Sequence, residues 1–162
     1  MNLIGQIINA MIAYYAGDVR RINHFLKVYG FAKAIGEMEG LDESTQEIIE
    51  IAALTHDIGI KNSEKKYNSS AGNYQQIEGP PEAKKLLAEL GIESGVIDRV
   101  CWLIAHHHTY TDIQGIDYQI LVEADFLVNF YEDNMSNDSV HSVGSKMFKT
   151  LSGKAILNAI YS

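Results

Sequence analysis

The chain has 162 residues, with 13 basic and 21 acidic side chains and a formal net charge of −8 when histidines are counted as neutral. A domain of about this length buries roughly 70% of its unfolded surface, so it can fold without disulfides or a structural metal. The acidic balance argues against binding to long nucleic acids, for which a basic face supplies most of the affinity. We expect one domain over residues 1–162.

Cysteine content and hydropathy indicate a cytoplasmic protein without membrane contact. The single cysteine, Cys101, excludes an internal disulfide and a zinc site with two or more thiolates. Residues 1–6 contain no basic segment before an apolar run, so we expect no signal peptide. Nowhere does the chain reach the roughly 18 uncharged apolar residues that a membrane span needs.

Helical periodicity fills most of the chain, and no segment alternates at the period of two that predicts a strand. Asp18 is the expected N-cap of the second helix, and either Asp42 or Ser44 opens the third. Pro81, at a favoured first-turn position, is expected to begin the fourth. In chain order, the predicted helices are 2–15, 18–39, a third ending near residue 57, 81–90, 93–107 and 117–131, with a final, weakly periodic segment after residue 137. The pattern predicts an all-α, compact bundle of about six to seven helices.

Residues 58–79 interrupt this pattern, because they show little apolar periodicity and contain Gly59, Gly72 and Gly79. Loops of this length in compact domains are usually functional or disordered. Since the segment begins directly after His56-Asp57, we expect an active-site wall or lid; an ordinary mobile loop is the alternative.

Three ionisable residues lie on apolar helix faces. His24 shares its face with apolar residues four, seven, eight and eleven positions later, and His56 with those three, four and seven positions earlier. Asp125 lies between apolar residues on its own helix. Each alone could be an ordinary core residue, but buried imidazoles and carboxylates are costly unless they have charged partners. Together with Asp57 they predict a metal site in the middle of the bundle.

The order of these residues resembles the HD-domain superfamily of metal-dependent phosphohydrolases. The resemblance runs from Arg21-Ile22-Asn23-His24 through His56-Asp57-Ile58-Gly59 to Asp125, about two-thirds of the chain. It implies a helical bundle that hydrolyses phosphomonoesters or phosphodiesters, often of nucleotides. It also implies a single-metal ligand set of His24, His56, Asp57 and Asp125.

The resemblance leaves open whether one or two metal ions bind, since many two-metal members carry further histidines. One such histidine commonly precedes Gly-Pro, where this chain has Glu78, and others precede the last helix, where it has three histidines in a row. The chain is expected to hold one or two ions. In the two-metal version the candidate ligands of the second ion are Glu78, His106 and His107, and Asp57 is the candidate bridge between the two ions. Imidazole and carboxylate ligands suit a divalent transition metal such as Mn, Fe, Co, Ni or Zn.

A bound divalent ion lowers the pKa of its water from about 16 to about 7 and polarises a phosphoryl oxygen. The candidate catalytic residues are Asp57, Lys61 and His107. The candidate substrate-binding residues are Arg21, Lys61 and His108, although spacing alone does not choose between Arg20 and Arg21.

These predictions favour a phosphohydrolase acting on a small phosphorylated substrate, a nucleotide in particular. Two alternatives fit the same residues: a non-catalytic metal- or nucleotide-binding signalling module, and a diiron oxygenase on the same scaffold. Tyr14-Tyr15 and Phe148 are candidates for a homodimer interface if they are exposed.

Overall fold

In the computed structural model of the chain, which describes residues 2–162, the regular secondary structure is entirely helical. Nine helices lie within these residues: α1 (Leu3–Tyr14), α2 (Val19–Met38), α3 (Glu43–Thr55), α4 (Ile60–Tyr67), α5 (Gly72–Glu89), α6 (Ser94–His106), α7 (Ile116–Glu132), α8 (Asn137–Met147) and α9 (Leu151–Ile160). The all-α prediction is confirmed, but the expected six to seven helices are too few. Met1, at which the predicted domain begins, lies outside the described residues.

Side-chain caps fix where the first helices begin. Asn2 accepts a hydrogen bond from the backbone N–H of Ile4 at the start of α1, and Asp18 caps α2 as predicted. Asp42, rather than Ser44, opens α3, because its carboxylate accepts from the backbone N–H of Thr45 at 2.9 Å. These contacts satisfy N–H groups that have no partner within the helix.

The prediction of a long loop over residues 58–79 is wrong, because α4 and most of the first half of α5 form there. Gly59 allows these two helices to pack closely: an added Cβ would lie 2.6 Å from the backbone nitrogen of Gly79 and 2.7 Å from the carbonyl oxygen of Gln75. Pro81 does not begin a helix, since α5 starts at Gly72 and continues through both prolines. Only residues 68–71 separate α4 from α5, which leaves no long loop to form the expected lid. The segment does form part of a wall, because Ile60, Ser70 and Gln75 line a cavity together with His24 and Asp57.

The centre of the bundle is formed by α2, α3 and α7, which pack against one another in all three combinations. Residues 49–56, at the end of α3, are all buried, and α7 is buried on most of its circumference. Burial of this apolar surface stabilises the core at about 25 cal/mol per Å². The packing brings polar side chains from three helices to one place.

Two candidate dimer residues belong to this interior instead. Tyr15 is 4% exposed and Phe148 is 2% exposed, and both pack in the core. These two residues were candidates for a homodimer interface only if their side chains were exposed, and neither side chain is exposed. Among the described helices, none has both the length and the apolar character that a membrane crossing requires.

Candidate metal centre

Four predicted ligands converge where α2, α3 and α7 meet. His24 lies in α2, His56 and Asp57 directly follow α3, and Asp125 lies in α7. His24 Nε2 is 3.1 Å from Asp57 Oδ2 and 3.1 Å from Asp125 Oδ1. His56 Nε2 is 3.3 Å from Asp57 Oδ2, 3.4 Å from Asp125 Oδ1 and 3.3 Å from His24 Nε2. Two imidazole nitrogens and two carboxylate oxygens therefore face a common point inside the bundle.

Two of the site histidines are oriented by the ends of their own helices. His56 Nδ1 contacts the carbonyl oxygen of Ala53 at 2.7 Å, and His107 Nδ1 contacts that of Ile104 at 2.7 Å. Since a carbonyl only accepts hydrogen bonds, each Nδ1 must carry its proton and donate. The Nε2 lone pair is then free to bind a metal when the ring is neutral.

A second group of metal-ligand type adjoins the first and shares Asp57 with it. Asp57, His107 and His108 each offer a ligand atom close enough to those of the other two to hold one ion. His107 Nε2 is 3.5 Å from Asp57 Oδ1, the oxygen that does not face His24 and His56. Asp57 is therefore placed between two sets of imidazoles.

The electrostatics of the first group favour charged side chains despite burial. Burial by itself lowers the pKa of an imidazole, but the carboxylates of Asp57 and Asp125 outweigh it and raise the pKa of His24 to about 11 and of His56 to about 10. Burial also opposes ionisation of both aspartates, yet the neighbouring histidines hold the pKa of each carboxyl below its usual range. Without a metal, the imidazoles hold protons that an incoming cation has to displace.

His108 has the opposite character. Burial first, and then the charge of His107, lower the pKa of His108 to about 4, so the ring is neutral at pH 7. Its Nε2 lies 2.9 Å from Oε1 of Gln75, and its Nδ1 lies 3.3 Å from the hydroxyl of Tyr110. A neutral imidazole is the form that binds metals.

Two buried atoms of the site support its fit to a cation. Within residues 2–162, Asp125 Oδ1 and His107 Nε2 are buried and have no hydrogen-bond partner; the short distances from Asp125 Oδ1 to the two imidazoles are not in hydrogen-bonding geometry. A buried polar atom without a partner costs about 1–3 kcal/mol. An ion in the first group would satisfy Asp125 Oδ1, and an ion in the second group would satisfy His107 Nε2.

The cluster lies at the wall of a cavity of about 390 Å³. His24, Asp57, His108 and Asp125 line this cavity on the side of the ligands. Around the rest of it, the lining includes Asp18, Arg20, Arg21, Ser70, Asn129 and Glu132. A small polar molecule in this cavity would lie directly beside the two metal-ligand groups.

Comparison with known proteins agrees with this geometry. A family model described as HD domain matches residues 21–140. The chain belongs to the HD domain family. The solved structure of a predicted HD superfamily hydrolase from an uncultured Thermotogales bacterium is similar to it, with a TM-score of 0.70 and 23% sequence identity over 97% of this chain and 84% of that one. At that identity the likeness shows a shared fold. No curated protein matches the sequence.

Two ligands predicted for a second ion in this HD domain are not brought to the cluster. Within residues 2–162, neither metal-ligand group contains Glu78 or His106. The carboxylate of Glu78 pairs with Lys66 instead, at 2.6 Å, because α4 and α5 pack side by side. His106 Nδ1 contacts the carbonyl oxygen of Trp102 at 2.7 Å, and its ring stacks on that indole. The second group contains His108 instead of these two.

The basic residues of the HD domain are also placed differently from expectation. Lys61 is exposed and does not line the cavity; its ammonium donates to the carbonyl oxygen of Tyr14 at 3.0 Å. Arg21 lines the cavity, but its guanidinium is paired with Asp18 at 2.9 Å and with Glu64. Arg20 lines it too, is exposed, and has no side-chain hydrogen bond or ion pair within residues 2–162.

Sequence reasoning missed two cavity residues of α7, Asn129 and Glu132. The predicted helix ends at residue 131, one residue short of Glu132, which is the last residue of α7. Their spacing from Asp125 could have predicted their position, because residues four and seven positions later lie on the same helix face as Asp125.

Proposed function

We propose that the protein is a metal-dependent phosphohydrolase that cleaves a phosphomonoester or phosphodiester bond of a nucleotide. The convergence of His24, His56, Asp57 and Asp125 beside a polar cavity carries this proposal. Membership of the HD domain family supports the choice of hydrolysis, because the resemblance implies that reaction.

The chemistry requires these side chains to hold a cation and to orient a substrate. His24, His56, Asp57 and Asp125 would hold a divalent Mn, Fe, Co, Ni or Zn ion, which when bound supplies a Lewis acid and acidifies water. Asp57 turns Oδ2 toward His24 and His56, and Oδ1 toward His107. This orientation makes Asp57 the candidate bridge to a second ion.

The second ion would be held by Asp57, His107 and His108 rather than by Glu78 and His106. His108 suits this role because burial keeps its pKa low and its ring neutral. His107 suits it because its Nδ1 is fixed on the helix carbonyl of Ile104 and its Nε2 faces Asp57. One or two ions per chain are compatible with the two groups.

The cavity supports a small anionic substrate. Its volume of about 390 Å³ lies within the range of about 300–1,000 Å³ that is typical of small-molecule sites. Arg20 and Arg21 bring two positive charges to its wall in a chain of net charge −8. Since Arg21 is already paired with two carboxylates, Arg20 is the better candidate to bind a phosphoryl oxygen. Ser70 and Asn129 offer hydrogen bonds to sugar hydroxyl groups.

The proposal is tested by elemental analysis of the purified protein and by phosphate release from a panel of nucleotides with Mn²⁺ or Co²⁺. We expect His56→Ala and Asp57→Ala each to abolish metal binding and hydrolysis. The matched control is His106→Ala, which removes an imidazole outside both groups and should preserve metal content and turnover. Full activity in a metal-depleted His56→Ala/Asp57→Ala double variant would reject the proposal.

The same experiments separate the two alternatives. Metal and nucleotide binding without any turnover would indicate a signalling module. A mixed-valent iron signal together with oxygen consumption would indicate a diiron oxygenase.

A further inference from the structure

The two ring nitrogens of His24 face different partners. Its Nε2 points into the cluster, 3.1 Å from oxygens of both Asp57 and Asp125. Its Nδ1, on the opposite side of the ring, contacts Oε1 of Glu132. Only Nε2 is directed toward the other candidate ligands, so Glu132 contacts the ring on the side that faces away from them.

This contact differs in kind from those of the other site histidines. His56 and His107 each turn Nδ1 to a carbonyl oxygen three residues earlier, which the helix end itself supplies. His24 lies within α2, where carbonyl oxygens are engaged in helix hydrogen bonds. Its Nδ1 therefore depends on a carboxylate from another helix.

The position of Glu132 follows from the geometry of α7. Glu132 comes seven residues after Asp125, which is two helical turns, so both side chains lie on the same face. One helix thus provides a candidate ligand at Asp125 and, two turns later, a carboxylate behind His24.

The environment of Glu132 keeps it in place. Its side chain is 11% exposed, and Lys27 Nζ lies 3.5 Å from its second oxygen, Oε2. This ammonium balances part of the negative charge and leaves Oε1 for His24. A largely buried carboxylate with two separate partners has little freedom to turn away.

We propose that Glu132 is a positioning residue that acts through His24. By accepting a hydrogen bond from Nδ1–H, it holds the tautomer in which Nε2 carries the lone pair, and it fixes the direction of that lone pair toward Asp57 and Asp125. A carboxylate behind an imidazole also makes the ring a stronger metal ligand than a backbone carbonyl does. This inference rests on the proposed metal-dependent function, and it concerns metal affinity rather than the reaction.

Two variants of similar side-chain volume test the inference. Glu132→Met removes both acceptor oxygens, whereas Glu132→Gln keeps an acceptor without its charge. Asp133→Ala is the matched control, because it removes the adjacent carboxylate at an exposed position. Calorimetric titration of the metal-stripped proteins with Mn²⁺ and Zn²⁺ is expected to show affinity reduced about 10–100-fold in the Met variant. The Gln variant should lose less, and the control should match the wild type.

A second readout separates positioning from general damage to the fold. Long-range ¹H–¹⁵N spectra of the Zn²⁺-loaded wild type should show His24 with its proton on Nδ1 alone, and this Nδ1–H signal should shift or exchange faster in Glu132→Met. Circular dichroism and thermal unfolding of the metal-stripped variants check that the fold is kept. Binding by Glu132→Met within twofold of the wild type would overturn the inference, as would an equal loss in Asp133→Ala or a greater loss in Glu132→Gln than in Glu132→Met.

Failure of this inference is distinguishable from failure of the proposed function. If the wild type binds Mn²⁺ or Zn²⁺ and Glu132→Met binds equally well, only the role of Glu132 is lost. If the wild type binds neither ion, the proposed function and the role of Glu132 fall together.

Discussion

The phenol of Tyr15 donates a 2.7 Å hydrogen bond to the backbone carbonyl oxygen of Asp57. Burial, and then the nearby charge of Asp57, raise the pKa of Tyr15, so its hydroxyl remains a donor throughout the physiological range. Tyr15 directly follows α1, which carries no candidate ligand. Through this contact the end of α1 holds the backbone of the aspartate that both metal-ligand groups share.

Tyr15→Phe tests that contact. The substitution removes one of two donors to the Asp57 carbonyl oxygen, which still accepts from the backbone N–H of Ile60 at 3.0 Å. We therefore expect the free energy of unfolding to fall by about 0.5–1.5 kcal/mol, the usual contribution of one hydrogen bond. Metal affinity should also fall, because the Asp57 backbone is less constrained. Urea unfolding and metal titration measure the two effects. Tyr14→Phe is the control: that ring is only half-buried and its hydroxyl faces Glu82, so its loss should be smaller and should not affect the metal. Equal behaviour of the two variants would contradict the prediction.

The raised pKa values of His24 and His56 predict how the metal-free protein responds to pH. A histidine whose folded pKa lies above its ordinary 6.5 stabilises the fold fully below pH 6.5, and that contribution is lost as pH rises toward about 11 for His24 and about 10 for His56. The depressed pKa values of Asp57 and Asp125 act at the acid end, where stability is lost as pH falls below about 3.8. Between pH 6.5 and 9, therefore, the metal-free protein should become less stable.

Metal binding should show the opposite trend over the same range, because the ion displaces protons from both imidazoles. We expect the rise in Tm caused by Zn²⁺ to grow from pH 6.5 to pH 9, with proton release detectable in buffers of different ionisation enthalpy. His56→Ala, which is expected to abolish metal binding, should remove both the proton release and the rise in Tm caused by Zn²⁺. A metal-induced shift in Tm that is independent of pH would contradict this linkage.

Much of the fold could be predicted because local signals and tertiary packing agree. Asn2, Asp18 and Asp42 begin helices where a capping side chain precedes an apolar pattern. The loop prediction failed at Gly59 and Gly79 because glycine is also used where two helices approach closely, and a sequence does not distinguish that use from a turn.

The candidate site could be predicted only as far as one helix at a time. His24, His56 and Asp125 are visible as polar residues on apolar faces, and packing of α2, α3 and α7 brings them together. The order of contacts among three successive histidines was not predictable, because the helix ends at His106 and the chain then turns. That turn sends His107 and His108 to the cluster and leaves His106 on Trp102.

Gly72→Ala tests the place of His108. An added Cβ at Gly72 would lie 2.8 Å from Cγ of His108 and 2.9 Å from its Cβ, so the imidazole has to move. We expect the wild type to bind two Zn²⁺ ions per chain and the variant to bind the weaker of them at least about 10-fold less tightly.

The control for this variant is Gly30→Ala, on an exposed face of α2 where an added Cβ meets no described atom within 4 Å. It should raise stability by up to about 1 kcal/mol, since alanine favours helix, without changing either binding event. Calorimetric titration reports both stoichiometry and affinity. An unchanged second binding event in Gly72→Ala would exclude His108 as a ligand.

Arg20 and Lys61 provide a direct comparison of two basic residues near the site. Arg20 lines the cavity and has no side-chain partner within residues 2–162, whereas Lys61 lies outside it, bonded to the carbonyl oxygen of Tyr14 and 4.8 Å above the centre of that ring. If Arg20 binds a phosphoryl oxygen of the bound substrate, Arg20→Ala should raise KM about 10-fold or more, the usual effect of losing one charge-assisted hydrogen bond. Arg20→Lys should recover part of the loss, because it restores the charge without the planar guanidinium.

Lys61→Ala should leave KM and kcat within about twofold of the wild type, since twofold is well below the loss expected for one such bond. Steady-state kinetics on the best nucleotide substrate decides between them, and a large effect of Lys61→Ala with none of Arg20→Ala would return the phosphate-binding role to Lys61.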